Sequence, residues 1–237
     1  MMKSFKVLSA LLSYPTQPLI DAAPELVAVL DAEKLLPQPQ RCAVEALIAE
    51  IRTGDVYDLQ ERYGLLFDRS KTLALHLFEH VHGESRDRGQ AMVDLKAMYE
   101  NAGLAIAANE LPDFLPLFLE FLSTQPLRTA RELLGQTAHI LSALAERLGR
   151  RQSNYRAVFD ALVAISAEAP RREIVDALLT GIDPDPMDLE ALDAAWEEEE
   201  VRFGPAAQGQ GACGHEGLIA KLRHAKRAAG AAPSPRQ

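Results

Sequence analysis

The chain has 237 residues, with 34 Asp and Glu against 25 Lys and Arg for a formal charge of −9, and 48% of its residues are hydrophobic. That length can bury a substantial core as one large domain or two small ones, and ordinary Gly and Pro contents exclude collagen, coiled-coil rods and wholesale disorder. The acidic balance excludes phosphate-backbone binding as the main activity, because that affinity is built from clustered Lys and Arg displacing counterions.

Hydrophobic spacing is helical almost throughout. Lys3 and Lys6 precede the apolar run Val7 to Leu12, an arrangement that resembles a weak export signal. Ser9 interrupts the run, and Phe5, Leu8 and Leu12 suit an amphipathic helix, so Met1 to Tyr14 reads as the first helix of a cytoplasmic protein. No stretch approaches the ~18 apolar residues that a membrane span requires. Val56, Leu59, Tyr63, Leu66 and Phe67 share one stripe behind Asp55 as cap. Leu73, Leu75 and Leu77 alternate with period two, the one such run, before Phe78 and Val81 resume the helical spacing. Met92, Leu95, Tyr99 and Ala102 form the next stripe, from Ser85 to a stop at Gly103.

From Leu111 to Leu122, Pro112 marks a helix start, and Phe114, Leu115, Leu117, Phe118, Leu119, Phe121 and Leu122 leave almost no polar face. A helix apolar all round is central to the core or partly covered by something outside the chain. Leu127, Ala130, Leu134, Thr137, Leu141, Leu144 and Leu148 predict a long helix opened by Pro126 and closed by Gly149. Tyr155 to Ile165 predicts another, capped by Ser153 or Asn154, and Ile174 and Leu178 one more, ending at Gly181. The class is therefore all-α, a single-domain bundle of about nine to eleven helices with a flexible C-terminal tail.

Past Gly181 the composition changes. Asp183 to Glu200 holds nine acids and no Lys or Arg, with Leu189, Leu192 and Trp196 on the apolar side of a short predicted helix. The helical domain is accordingly placed at 1–203. Residues 204–237 read as a Gly/Ala/Gln-rich linker and a basic tail carrying Lys221, Arg223, Lys226, Arg227 and Arg236, with Ala231 to Gln237 expected to be disordered. Either the acidic segment attracts a basic peptide, or the tail competes for that place, or the two are solvated faces.

No catalytic apparatus stands out. Cys42 and Cys213 are too far apart for a metal or redox motif and read as reduced thiols. There is no phosphate loop, dinucleotide fingerprint or nucleophile elbow. His76-Leu77-Phe78-Glu79-His80 matches the inverted zincin pattern, but such a site also needs a third ligand from a second helix and a strand-edged substrate cleft, and no sheet is predicted; His82, two residues on, reads as recruitable to a metal cluster or as a buried His anchoring a turn. No metal is expected. The polar run through His80, His82, Gly83, Arg86 and Arg88 reads as a helix-helix corner, with Glu79 in the same motif and a structural role more expected than ligand contact.

Taken together, Tyr63-x-x-x-Phe67-Asp68, the block from Leu77 to Met92 that includes Glu-His-Val-His-Gly-Glu-Ser-Arg-Asp-Arg-Gly-Gln-Ala-Met, Tyr99-x-x-x-Gly103, and Glu110-Leu111-Pro112-Asp113-x-Leu115-Pro116-x-x-Leu119-Glu120 carry a resemblance. In that order, within a match from about Phe5 to Phe203, they resemble the respiratory nitrate reductase molybdenum cofactor assembly chaperones, the nitrate reductase delta subunit family, within the wider TorD/DmsD-type redox-enzyme maturation chaperones. The resemblance implies a cytoplasmic, all-helical, non-catalytic chaperone without stable membrane association. Its client would be the apo catalytic (alpha) subunit of nitrate reductase, held by its N-terminal segment until iron-sulfur clusters and molybdenum cofactor are inserted and before membrane anchoring. The cofactor would pass to the client, with cofactor delivery proteins as possible further partners, and no cofactor would stay on the chaperone.

In the wider family the segment matching Tyr99 to Glu120, above all Gly103, Pro112 and Asp113, lies at the peptide groove. Many members carry His directly after that Asp; this chain has Phe114, which suggests a more apolar groove. Leu111, Leu115, Phe118 and Leu119 are then expected as its floor, Tyr63, Phe67 and Met92 as walls, and Asp113 and Glu120 as carboxylates for client Arg or Lys. The runner-up is a helical scaffold that uses the apolar helix for self-association without a client.

Overall fold

The computed structural model of the chain describes residues 1–82, 86–106 and 110–180. Eleven α-helices occupy them: α1 (Lys3–Leu11), α2 (Gln17–Asp21), α3 (Ala23–Glu33), α4 (Gln38–Thr53), α5 (Val56–Tyr63), α6 (Glu79–His82), α7 (Arg86–Asn101), α8 (Leu115–Thr124), α9 (Leu127–Arg150), α10 (Arg156–Ile165) and α11 (Arg172–Leu179). A π-helical turn (Gly64–Asp68) follows α5, and a 3-10 turn (Lys71–Leu73) follows that. The described residues contain no strand, only an isolated antiparallel bridge between His76 and Phe114. The class is all-α, as the hydrophobic period predicts. The acidic segment, the linker and the basic tail lie outside the described residues.

The apolar stripe of α9 runs the full length of the helix. α10 packs against it and, on its other side, against α4, while α11 closes on α9 as well. A second layer is made by α1, which lies along α8 and against α3. In α8, Leu115, Phe118, Leu119, Phe121 and Leu122 are all buried, so this helix belongs to the core. Each such side chain contributes about 1.5–3 kcal/mol on leaving water. The cover comes from the N-terminus of the chain. Phe5 and Leu8 are fully buried, the Ser9 hydroxyl donates to the Pro116 carbonyl at 2.8 Å, and Met2 N–H donates to the Ser123 carbonyl at 2.8 Å.

The start of α1 is capped from a distance. No side chain at Met2 serves the first turn. Instead the Glu33 carboxylate, at the end of α3, accepts from the Lys3 and Ser4 N–H groups and from the Ser4 hydroxyl, each at 2.7 Å. Burial opposes ionisation of Glu33, but these bonds from Ser4 and Lys3 outweigh it and hold the carboxyl below its ordinary range.

Helix ends depart from the sequence reading in three places. The stripe expected to carry α5 through Phe67 changes register at Gly64, where Arg69 N–H reaches back five residues to the Gly64 carbonyl. At its other end Asp55 caps α5 as expected, accepting from Tyr57 N–H at 2.8 Å. Next, α8 begins at Leu115 rather than at Pro112, because residues 111–115 are held in another arrangement described below. Finally, Gly149 does not end α9. Gln152 does, at φ 53°, with its N–H on the Gly149 carbonyl and Ser153 N–H on Leu148. Gly149 permits a close approach instead, since a Cβ there would lie 2.8 Å from Arg156 Nη1. Gly103 does stop α7: at φ 77° its N–H reaches Glu100, and Leu104 N–H reaches Tyr99.

Candidate functional site

The run of α-helices is interrupted over residues 64–78, which hold the π-helical and 3-10 turns, and over residues 110–114, and these two stretches meet. Leu73, Ala74, Leu75 and Leu77 are all buried, and His76 alone makes a β-bridge, so the period-two run is an irregular buried strap that starts at the end of the 3-10 turn. A strap without helical hydrogen bonds needs partners for its backbone, and side chains supply them. Arg147 of α9 donates to the Thr72 carbonyl at 2.7 Å, and His80 Nε2 donates to the Ala74 carbonyl at 2.8 Å. Arg151 reaches the Ser70 hydroxyl at 3.3 Å. From the second stretch, Asp113 accepts twice: its carbonyl from Leu77 N–H at 3.1 Å and its Oδ2 from Phe78 N–H at 3.0 Å. Leu115 N–H donates to the Leu75 carbonyl at 2.8 Å. This pairing holds residues 111–114 in a turn, with Phe114 N–H on the Leu111 carbonyl, and postpones the start of α8.

Asp113 is fully buried at this junction. Its second oxygen, Oδ1, has no hydrogen-bond partner among the described residues. Burial pushes the carboxyl above its ordinary range, although the Phe78 N–H, His76 and Arg88 pull it the other way. The Tyr99 hydroxyl donates to the Pro112 carbonyl at 2.7 Å and so ties the turn to α7. Burial, with the Asp113 carboxylate nearby, raises the Tyr99 phenol. Tyr63 lies beneath, its hydroxyl on the Leu12 carbonyl at 2.8 Å and its ring centroid 5.0 Å from Phe67 and 6.3 Å from Tyr155. Burial, then the charges of Asp68, Tyr155 and Glu110, oppose ionisation of Tyr63.

Toward solvent, the turn presents Leu111, 45% exposed, and a half-buried Phe114 whose ring lies 5.4 Å from that of His76. Leu117 and Glu120 follow Phe114 at helical spacing on the outer side of α8. Glu110, adjacent to Leu111 in the chain, is exposed. Leu111, Phe114 and Leu117 are thus the apolar side chains that residues 110–120 leave at least partly accessible, with Glu110 and Glu120 the exposed carboxylates of the same segment.

This sorts the expected groove residues. Leu111 and Glu120 are exposed and Gly103 is exposed at the end of α7. Pro112 and Met92 are half-buried. Tyr63, Phe67, Tyr99, Leu115, Phe118 and Leu119 are core residues with little or no exposed surface. As the chain stands, then, the floor expected at Leu115, Phe118 and Leu119 and the walls expected at Tyr63 and Phe67 face the protein interior. Asp113 meets the backbone of Phe78. Sequence reading gives Leu117 only as part of the apolar run and His76 only as part of the zincin pattern, and it does not single out Arg147.

The zincin geometry is not formed. His76 sits in the strap, outside any helix, and His80 Nε2 is engaged by Ala74. The described residues contain no His, Cys, Asp or Glu cluster able to hold a metal ion. Of the polar corner, Arg88 donates to Glu79 at 3.3 Å, Arg86 opens α7, His82 closes α6, and Gly83 lies outside the described residues. No helix among the described residues is long and apolar enough to cross a membrane.

The described residues thus form an all-helical bundle in which residues 110–120 leave Leu111, Phe114 and Leu117 partly accessible. Comparison with known families is more specific. Residues 33–161 match the family model described as nitrate reductase delta subunit. The chain is 43% identical over 230 residues to the nitrate reductase molybdenum cofactor assembly chaperone NarJ of Escherichia coli strain K12, an alignment covering 95% of this chain and 92% of that protein. It is 39% identical over 204 residues to NarW of the same strain, named a probable nitrate reductase molybdenum cofactor assembly chaperone, covering 85% and 84%. With the Bacillus subtilis strain 168 protein named probable nitrate reductase molybdenum cofactor assembly chaperone NarJ, it shares 33% identity over 178 residues, 73% of this chain and 93% of that one. The chain belongs to the nitrate reductase delta subunit family.

Proposed function

We propose that this chain is a cytoplasmic, non-catalytic chaperone for assembly of a respiratory nitrate reductase. It binds the N-terminal segment of the apo catalytic (alpha) subunit and keeps that subunit open to molybdenum cofactor and iron-sulfur insertion before membrane anchoring. The cofactor goes to the client and is not held stably by the chaperone. The observation that carries this reading is 43% identity along 95% of the chain to a chaperone named for that assembly. The partly accessible Leu111, Phe114 and Leu117 support it physically. An amphipathic leader lays its apolar stripe on these side chains, and Glu110 and Glu120 meet its basic residues.

The test is calorimetric titration of a synthetic peptide with the first residues of the alpha subunit. Leu111→Asp and Glu110→Lys alter exposed side chains, so both variants should fold and bind the peptide at least tenfold more weakly. Leu119→Asp is unsuitable, because it puts a charge into the fully buried core of α8. Wild-type affinity in both exposed variants removes this segment from the client site.

A further inference from the structure

Leu73, Ala74, Leu75, Leu77 and Phe78 of the strap are buried, and only His76 among residues 73–78 keeps part of its surface in solvent. Its backbone is fixed from both sides. Leu115 N–H donates to the Leu75 carbonyl at 2.8 Å, Leu77 N–H donates to the Asp113 carbonyl at 3.1 Å, and His76 itself forms the antiparallel bridge to Phe114. Phe78 N–H on Asp113 Oδ2, at 3.0 Å, adds a further tie. The imidazole is thereby set against the half-buried Phe114 ring, with centroids 5.4 Å apart and planes tilted by 35°. Among the described residues nothing hydrogen-bonds to its two nitrogens, whereas His80 Nε2 is engaged by the Ala74 carbonyl. An imidazole offers an N–H donor in either charge state. Here that donor is held in fixed register beside an apolar ring of the candidate site.

We propose that His76 is a specificity-determining residue of the client site. It donates a hydrogen bond to a side-chain oxygen, a hydroxyl or a carboxamide, on the leader whose apolar stripe covers Phe114. That role rests on the function proposed above and goes further, because it names the group by which one leader is told from another. Apolar contact with Phe114 is tolerant of sequence, since any greasy side chain of suitable size satisfies it. A polar group set among apolar contacts fixes the orientation and the choice of ligand. The choice is enforced by the cost of failure: a leader that covers the imidazole without offering an acceptor takes a donor out of water and leaves it unpaired. His76 therefore rejects leaders that are merely apolar, and the ties to Asp113 and Leu115 keep it from turning away.

The experiment titrates the full chain with a synthetic alpha-subunit leader. His76→Phe keeps a ring against Phe114, removes the donor, and should weaken binding about three- to tenfold. His76→Asn and His76→Gln put an amide N–H near the places of Nδ1 and Nε2, and one of the two should recover the loss. Single Ala replacements of the leader's hydroxyl and carboxamide residues then find the acceptor: one of them should weaken binding to wild type by the same factor and leave the affinity of His76→Phe unchanged. In the wild-type chain carrying 15N-histidine, the ring signals of His76 should move when the leader is added while those of His80 stay. That last measurement needs no substitution in the chain, so it decides even where a variant fails to fold. Equal affinity of wild type and His76→Phe overturns the role of His76 and leaves the client reading standing. The same holds if neither amide variant recovers binding, if no leader replacement couples to His76, or if its ring signals do not move. A leader that does not bind the wild-type chain overturns the client reading, and the contact with it.

Discussion

Asp113 combines full burial, one engaged oxygen and one without a partner among the described residues. Its carboxyl is held above the ordinary range first by burial. A carboxyl whose folded pKa exceeds its unfolded value takes up a proton on folding. Stability is therefore greatest below the ordinary carboxylate pKa and falls as pH rises through the window up to the folded value. Asp113→Asn keeps an acceptor for Phe78 N–H and removes the charge. Its thermal midpoint should exceed that of wild type at neutral pH, and the advantage should vanish near pH 4. Asp113→Ala loses the acceptor altogether and should cost about 1–3 kcal/mol. An Asn variant that melts below wild type at pH 7 would show that the charge stabilises the junction.

Among the elements, the strap depends most on distant side chains. Arg147 is 5% exposed and spans the Thr72 and Leu178 carbonyls as a fork, a geometry that the single ammonium of lysine cannot reproduce. Arg147→Lys should lower stability by about 1–3 kcal/mol. Hydrogen exchange should quicken in both α11 and residues 72–78; quickening in only one of them would show that the two are not coupled through this side chain. The strap also shows what a sequence conceals. Helical periodicity located α5, α7, α9, α10 and α11 because one-face burial leaves a 3.6-residue signature. It could not place the start of α8 or the end of α9, which are decided by the bonds of Asp113 and Leu115 to the strap and by Gln152 adopting a left-handed conformation. Nor could it tell a groove floor from a core. Leu115, Leu119 and Leu111 are the same residue type, yet the first two are fully buried and the third is 45% exposed. That difference comes from α1 lying over α8, a contact between segments more than a hundred residues apart.

Over the whole molecule, the seam between α1 and α8 joins the N-terminus to the middle of the chain. Leu8→Ala removes a fully buried side chain there and should cost about 2–5 kcal/mol, or several degrees of thermal midpoint for a chain of this size. Tyr57→Ala, at a position 76% exposed, should stay within about 0.5 kcal/mol of wild type. Scanning calorimetry compares the two directly, and equal losses would mean that α1 is not part of the cooperative core.

The same seam sets a schedule for synthesis. α8 leaves the ribosome only after α1 and more than a hundred further residues have been translated. At about 5–20 residues per second that interval lasts roughly 5–20 s. Throughout it, the nascent chain displays Lys3 and Lys6 ahead of an unburied greasy run, the look of a secretory leader. Once α8 emerges, its packing on α1 completes the burial of Phe5, Leu8 and Leu11.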